Sequence, residues 1–171
     1  MKENIIGREE QMTLLENYIA SNRSEFIAIY GRRRVGKTFL VKELFENNFT
    51  FRMTGKENAS TKEQLDNFSD ALSNFTPAME KPKTWTQAFR QLSTYIEKEA
   101  EEGPKILFFD ELPWFDTRGS KFVSALSISG TTGQPIATIS SSLFAEAPPH
   151  GCSTRSSTPE VDCTIAPHTP C

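Results

Sequence analysis

One eight-residue segment has the residue types and spacing of a phosphate-binding loop. It reads Gly31-Arg32-Arg33-Arg34-Val35-Gly36-Lys37-Thr38 and has the form G-x-x-x-x-G-K-T. Its two glycines allow a tight turn in which successive N–H groups face phosphate oxygens. Lys37 would then bridge the β- and γ-phosphates of a nucleoside triphosphate, and the hydroxyl of Thr38 would bind Mg²⁺. The alternative is a chance glycine turn with a solvated lysine.

An acidic pair follows an apolar run later in the chain. Asp110 and Glu111 come directly after residues 106–109, Ile-Leu-Phe-Phe, which predict a buried strand. Ligands of open parallel sheets bind at the carboxyl ends of the strands. We therefore predict Asp110 as the second Mg²⁺ ligand beside Thr38. Glu111 would orient and deprotonate a water for hydrolysis, with Lys37 as the second catalytic residue. A solvated strand end is the alternative.

The other residues of the loop are also expected to contact the nucleotide. Arg32, Arg33 and Arg34 place three cations there, which would strengthen phosphate attraction or face a partner. Solvated loop charges are an equally good interpretation of the three arginines. We include them with Val35 among the nucleotide-binding residues. The aromatic segment 113–115, Pro-Trp-Phe, is instead expected to pack against a neighbouring helix.

The elements that position these residues alternate along the chain. Helices are predicted from about residue 9 and over 38–45, 62–72 and 85–100, and strands over 26–30, 49–53 and 106–109. Strands that are apolar on both faces and alternate with helices are typical of a parallel sheet. The sequence therefore predicts an α/β fold, the three-layer P-loop NTPase fold with a parallel sheet.

Length, charge and hydropathy restrict the class of protein. The 171 residues, 37% of them hydrophobic, can build the core of one domain. A net charge of -3 provides no field for binding nucleic acid. No apolar run reaches the roughly 20 residues of a membrane span, and no secretory apolar segment follows Met1. We expect a cytoplasmic protein without nucleic-acid or membrane partners, with a protein partner or self-association left open.

Composition divides the chain near Ser127. Residues 128–171 contain all three cysteines, both histidines and six of the ten prolines, but only one of the 19 Lys/Arg residues, Arg155. Cys152, Cys163 and Cys171 match no zinc or disulfide spacing. We therefore expect the P-loop domain to cover residues 1–127 and a low-complexity, disordered tail to cover residues 128–171.

The order of the segments resembles the archaeal-type ATPases of the AAA+/STAND group, over residues 1–127. The matching segments are Ile6-Gly7-Arg8-Glu9, residues 26–38, and Phe108-Phe109-Asp110-Glu111-Leu112-Pro113-Trp114. The resemblance implies that the nucleotide is ATP, with Lys37 and Thr38 as the Walker A pair and Asp110 and Glu111 as the Walker B pair. It also implies that Gly7-Arg8 borders the nucleotide pocket; a plain helix start is the alternative there.

In that family a buried strand ending in a polar sensor residue follows the acidic pair and lies at the centre of the sheet. No such strand is recognisable after Ser127, so an incomplete sheet is expected. A shifted reading frame joins the third base of each codon to the first two bases of the next codon. In that frame, the codons for residues 139–152 permit an aliphatic run followed by Gly-Ser-Ala-Thr, which is what the family has at this place. We therefore expect 128–171 to be translated out of frame within a longer protein. A genuine Ser/Thr/Pro-rich tail is the alternative.

The function expected from these features is ATP binding with Mg²⁺-dependent hydrolysis, in the full-length form. Two other functions stay open. One is a nucleotide-gated interaction module with little turnover, in which ATP binding switches partner contacts. The other is a non-functional frameshifted fragment that keeps the motifs without a complete sheet.

Overall fold

Five α-helices and five strands make up the part of the chain that the structure describes. A computed structural model describes residues 5–21, 23–32, 34–77, 79–98, 104–117, 119–129, 136–142 and 163–167. The helices are α1 (Glu9–Ala20), α2 (Lys37–Leu44), α3 (Thr61–Leu72), α4 (Trp85–Lys98) and α5 (Phe122–Ser129). The strands are β1 (Glu25–Gly31), β2 (Phe51–Thr54), β3 (Lys105–Asp110), β4 (Ile136–Ser142) and β5 (Cys163–Pro167). A 3-10 turn, Leu112–Trp114, follows β3.

The five strands form one sheet in the order β2-β3-β4-β1-β5. The first four are parallel, and β5 pairs antiparallel with β1. Ile139 of β4 pairs with Ile27 of β1 on one side and with Phe108 of β3 on the other. Strand β4 is therefore central, and the ends of β1 and β3 flank it on the same edge of the sheet.

Helices cover both faces of this sheet. The core beneath α1 and α2 contains Leu15, Ile27, Ile29, Leu40, Val41, Ile106 and Phe108. The core beneath α3, α4 and α5 contains Phe51, Phe68, Trp85, Phe89, Leu107, Phe109 and Phe122. Successive residues of β3 thus enter opposite cores, which is why the four residues between Lys105 and Asp110 are all apolar. The predicted three-layer α/β architecture with a parallel sheet is confirmed.

The predicted helices and strands of the first 127 residues lie within two residues of the observed ones. The largest shift is at β2, which begins at Phe51 rather than Phe49. Phe49 is nevertheless buried and stacks on Phe108 with 5.3 Å between ring centroids. Its hydrophobicity reflects core packing just before the strand. Residues 99 and 100 of the predicted fourth helix lie outside the described residues.

The expectation that no central strand follows Ser127 is wrong. Residues Ile136–Ser142 form β4, and α5 itself continues across position 127 to Ser129. The pattern did not indicate a strand because Thr138, Ser140 and Ser141 are polar, yet all three are buried. The strand forms because buried N–H and C=O groups of β1 and β3 require partners, which a backbone of almost any sequence provides.

Residues 130–135, 143–162 and 168–171 of the predicted disordered tail lie outside the described residues, as do Cys152 and Cys171. The domain boundary at 127 stays a prediction. None of the helices in the described ranges has the length and apolar character needed to cross a membrane.

Candidate functional site

The candidate site lies where β1 and β3 end and α2 begins. Strand β1 ends at Gly31, and α2 begins at Lys37, so the loop of residues 32–36 turns the chain back over the edge of the sheet. Strand β3 ends at Asp110 on the same edge. Strands β1 and β3 are parallel and flank β4, so their carboxyl ends bring together two segments that are distant in sequence. Ligands of such sheets usually bind at this edge.

The loop turns into α2 at a glycine. Gly36, the residue before the helix, has φ 79° and ψ 24°, in the left-handed region that favours glycine. Its carbonyl accepts the first helical hydrogen bond, from the N–H of Leu40 at 2.8 Å. The N–H groups of the first turn of α2 have no partner within the helix and adjoin the loop, as in anion sites at helix N-termini.

Lys37 is a buried cation that folds back over this loop. Its side chain is only 7% exposed, and Nζ donates to the carbonyl oxygens of Gly31 at 2.9 Å and Arg32 at 2.7 Å. These bonds offset the cost of burying an ammonium group. They do not neutralise its charge, so the positive charge of Lys37 lies beside Gly31 and Arg32, at the start of the loop.

Side chains from two other elements converge on Asp110 at the end of β3. Thr38 Oγ1, in the first turn of α2, lies 3.0 Å from each carboxylate oxygen of Asp110. Ser141 Oγ, near the end of β4, donates to Oδ1 of Asp110. Asp110 and Ser141 are buried and Thr38 is half-buried. A hydroxyl and a carboxylate are the hard oxygen donors that Mg²⁺ prefers, so the donor set fits this ion.

Glu111, the residue after β3, has a strained backbone. Its φ of 58° and ψ of 49° are in the left-handed region, which is uncommon outside glycine. It caps the 3-10 turn, and its carbonyl accepts from the N–H of Trp114 at 3.1 Å. Such strain persists only where neighbouring structure imposes it, and it concentrates at functional sites. The side chain of Glu111 is half-buried.

The Gly7-Arg8 segment both precedes α1 and contacts the loop. Arg8 is the residue immediately before the helix, and its Nη2 donates to the carbonyl of Val35. The N–H of Gly7 donates to Glu9 Oε1 at 3.2 Å. The two interpretations of this segment are therefore compatible, because a helix start here also borders the loop.

The structure brings most predicted site residues to this one edge. They are Gly31, Arg32, Arg34, Val35, Gly36, Lys37, Thr38, Asp110 and Glu111. Arg32 and Arg34 are exposed, and Arg33 lies outside the described residues. Ser141 was missed, because nothing in a run of three serines distinguishes it. Only the position of β4 between β1 and β3 would have identified it.

Of the two aromatic residues after the acidic pair, Phe115 belongs to the core, and Trp114 is half-buried. Phe115 is fully buried and meets Trp85 of α4 edge-on, with 5.9 Å between ring centroids. It also stacks on Phe122 at 5.0 Å. Packing against a helix is what the sequence predicted for this segment.

Comparison with known proteins identifies the family. The model of a family described as an ATPase domain predominantly from Archaea matches residues 5–126. The chain belongs to this family. The expected resemblance to archaeal-type ATPases is thereby confirmed, and membership supports a nucleotide-binding, ATPase-like role for the domain.

Two proteins of Methanocaldococcus jannaschii are similar to this ATPase domain. The uncharacterised protein MJECL04 is 33% identical over 109 residues, which are 63% of this chain and 22% of the relative. The uncharacterised ATP-binding protein MJ0423 is 45% identical over 42 residues, 25% of this chain and 71% of the relative. The chain thus spans about a fifth of the length of MJECL04.

A solved structure has the same fold. The structure of C. elegans PCH-2 superposes with a TM-score of 0.51 and 14% identity, covering 85% of this chain and 40% of that chain. At this identity the likeness concerns the fold alone. It agrees with the P-loop NTPase fold predicted from the sequence.

Proposed function

We propose that this chain is part of a cytoplasmic ATPase, in which it binds ATP at residues 31–38 and hydrolyses it with Mg²⁺. The observation that carries the proposal is the convergence of Lys37, Thr38 and Asp110 at one edge of the sheet. Membership of an ATPase-domain family supports ATP as the nucleotide.

Phosphate binding is assigned to the loop and Lys37. An ammonium group has three N–H donors, and those of Lys37 reach two carbonyls among the described residues, which leaves one for a phosphate oxygen. Hydrogen bonds to charged groups contribute about 1.5–3 kcal/mol each. Arg32 and Arg34 are exposed on the same loop and add positive potential, and we assign Arg33 the same role.

Metal binding is assigned to Thr38 and Asp110. The hydroxyl oxygen of Thr38 lies within hydrogen-bonding distance of the carboxylate of Asp110, and Ser141 of β4 donates to the same carboxylate. Mg²⁺ would neutralise negative charge on the phosphate oxygens when bound. In this chain Ser141 thus positions the carboxylate of Asp110.

Hydrolysis is assigned to Glu111. Its carboxylate accepts a proton from water as the water oxygen bonds to the γ-phosphorus. The bond between that phosphorus and the β-phosphate oxygen breaks, and ADP and inorganic phosphate are released. Placement of Glu111 directly after Asp110 supports this role, because the base and the metal-binding carboxylate then share one strand end.

Replacing Glu111 by Gln tests the proposal. We expect E111Q to bind ATP with unchanged affinity and to release phosphate about 100-fold more slowly, since a general base contributes 10²–10⁴-fold. Glu97→Gln, at an exposed position of α4, is the matched control. Tight ATP binding by wild type without turnover would instead support a nucleotide-gated interaction module. Absence of ATP binding would support a non-functional fragment.

We also propose that residues 128–171 are read out of frame and that the natural protein is longer. Central parallel strands are normally rich in Val, Ile and Leu, whereas β4 buries Thr138, Ser140 and Ser141. The small share of MJECL04 that the chain covers also favours a longer protein. Resequencing of the coding DNA should show the shifted frame open through Gly-Ser-Ala-Thr and beyond. An early stop in that frame would refute the proposal.

A further inference from the structure

A buried glutamine links α3 to the turn that follows β3. Gln64 lies in the second turn of α3 and is fully buried. Its Nε2 donates to the carbonyls of Lys56 at 2.7 Å and Trp114 at 3.0 Å, and its Oε1 accepts from the N–H of Lys56 at 3.2 Å. One amide group thereby ties the loop after β2 to the 3-10 turn after β3.

Two further contacts join the same segments. The hydroxyls of Thr61 and Thr117 lie 2.9 Å apart. The N–H of Gly55 donates to the carbonyl of Asp110 at 2.9 Å. A Cβ on Gly55 would lie 2.7 Å from the carbonyl oxygen of Glu111, so the two backbones are in direct contact. The start of α3 and the loop before it therefore form a support for the turn.

Hydrogen bonds connect this support to Glu111 through the 3-10 turn. The N–H of Trp114 donates to the carbonyl of Glu111, while the carbonyl of Trp114 accepts from Gln64. Glu111 has left-handed backbone angles, which a non-glycine residue keeps only where its surroundings impose them. Gln64 holds the far end of the turn that imposes them.

We propose that Gln64 is a positioning residue that fixes Glu111 for the activation of water. The inference rests on the proposed function, because it requires that Glu111 act as the base. A buried amide with directional bonds to two segments specifies geometry, whereas an apolar side chain of similar size would only fill the space. Gln64 acts on Glu111 through the turn, since its hydrogen bonds within the described residues go to Lys56 and Trp114, outside residues 31–38.

The test compares wild type, Gln64→Met, Glu111→Gln and the double variant in ATP hydrolysis. Met has nearly the volume of Gln but makes none of its three hydrogen bonds. We expect Q64M to lower kcat about 10- to 100-fold, as misplacement of a catalytic group by about 1 Å does, with KM for ATP within about threefold of wild type. In the E111Q background Q64M should cause no further loss, because residues that act through one another are non-additive.

Gln91→Met is the matched control. Gln91 of α4 also donates to a loop carbonyl, that of Glu80 at 2.8 Å. Its replacement by Met should leave kcat unchanged. If Q64M does not fold, Thr61→Val removes only the contact with Thr117 and should still lower kcat several-fold at constant KM.

Three outcomes would overturn the inference. Wild-type kcat in Q64M, or in T61V where Q64M does not fold, would exclude positioning by this support. An equal loss from Q64M in both backgrounds would show a structural effect that bypasses Glu111. Wild type without turnover would refute the proposed function itself, and the inference with it. The first two outcomes require a wild type that hydrolyses ATP, so they are distinguishable from this failure.

Discussion

Thr38 Oγ1 is equidistant, at 3.0 Å, from the two carboxylate oxygens of Asp110, although 72 positions separate the residues in sequence. The contact connects the first turn of α2 to the end of β3 across the central strand. It places a hydroxyl and a carboxylate at the edge of the sheet that also carries Lys37, and the predictions for nucleotide binding depend on this arrangement.

Asp110→Asn should abolish the Mg²⁺-dependent part of ATP affinity. The substitution removes the negative charge, and it puts an amide N–H₂ opposite one of the hydroxyl donors, Thr38 or Ser141. Titration with a fluorescent ATP analogue, with and without Mg²⁺, measures the effect. Asp66→Asn is the control, because Asp66 pairs with Lys81 at the surface. An unchanged response of D110N to Mg²⁺ would remove Asp110 from the metal site.

Gly36→Ala should cost stability and nucleotide binding together. Gly36 has φ 79° and Gly119 has φ 82°, and an added Cβ would meet nothing within 4 Å at either position. Both alanine variants should therefore lose about 1–2 kcal/mol of unfolding free energy from backbone strain alone. Only G36A should also lose the rise in Tm that Mg-ATP produces. Equal Tm responses to Mg-ATP in both variants would contradict a role for the turn at Gly36.

Ser60→Ala should destabilise α3 in a pH-dependent way. Ser60 caps α3 and forms a capping box with Glu63, and the side-chain hydrogen bond from Ser60 lowers the pKa of Glu63 below its ordinary 4.5. A lowered folded-state pKa stabilises the fold above the ordinary pKa, and that contribution disappears as pH falls through the folded value. S60A should cost about 1 kcal/mol at neutral pH and less in acid.

Urea unfolding at pH 7 and well below pH 4.5 measures the difference. Ser73→Ala, at the other end of α3, is the control, because the hydroxyl of Ser73 donates to the backbone carbonyl of Asp70 rather than to a carboxylate. An identical loss for S60A at both pH values would contradict the assignment to Glu63.

Phe122→Ala should destabilise the fold by about 3–5 kcal/mol. Phe122 is fully buried, meets Trp85 edge-on at 4.7 Å and stacks on Phe115 at 5.0 Å. Val123→Ala removes a neighbouring side chain that is 48% exposed and should change stability by less than about 0.5 kcal/mol. Chemical denaturation of both variants tests whether α5 is part of the core, and similar losses would contradict it.

The parts of the fold that sequence patterns predicted are those where burial determines residue type. Phe108 and Phe109 enter opposite cores, so residues 106–109 of β3 are all apolar and the strand is recognisable. Strand β4 is held by backbone pairing with β1 and β3, and its polar side chains carry no such pattern. The antiparallel pairing of β5 with β1 could not be predicted either, because the five residues of β5 carry no recognisable pattern.

The same distinction applies to the candidate site. Lys37, Thr38 and Asp110 were predicted because fixed spacing around two strand ends identifies them without knowledge of the sheet order. Ser141 and Gln64 contact the same region only through the tertiary arrangement of β4 and α3. Their roles could not be predicted from local sequence, since neither is part of a recognisable motif.

The most direct test of ATP binding at residues 31–38 is calorimetric titration of wild type and Lys37→Ala with Mg-ATP. The variant loses the buried ammonium, and a charged hydrogen bond is worth about 1.5–3 kcal/mol, so affinity should fall about 10- to 100-fold. Lys62→Ala, at an exposed position of α3, should bind like wild type. Equal affinities of K37A and wild type, or no binding by wild type, would contradict ATP binding by this loop.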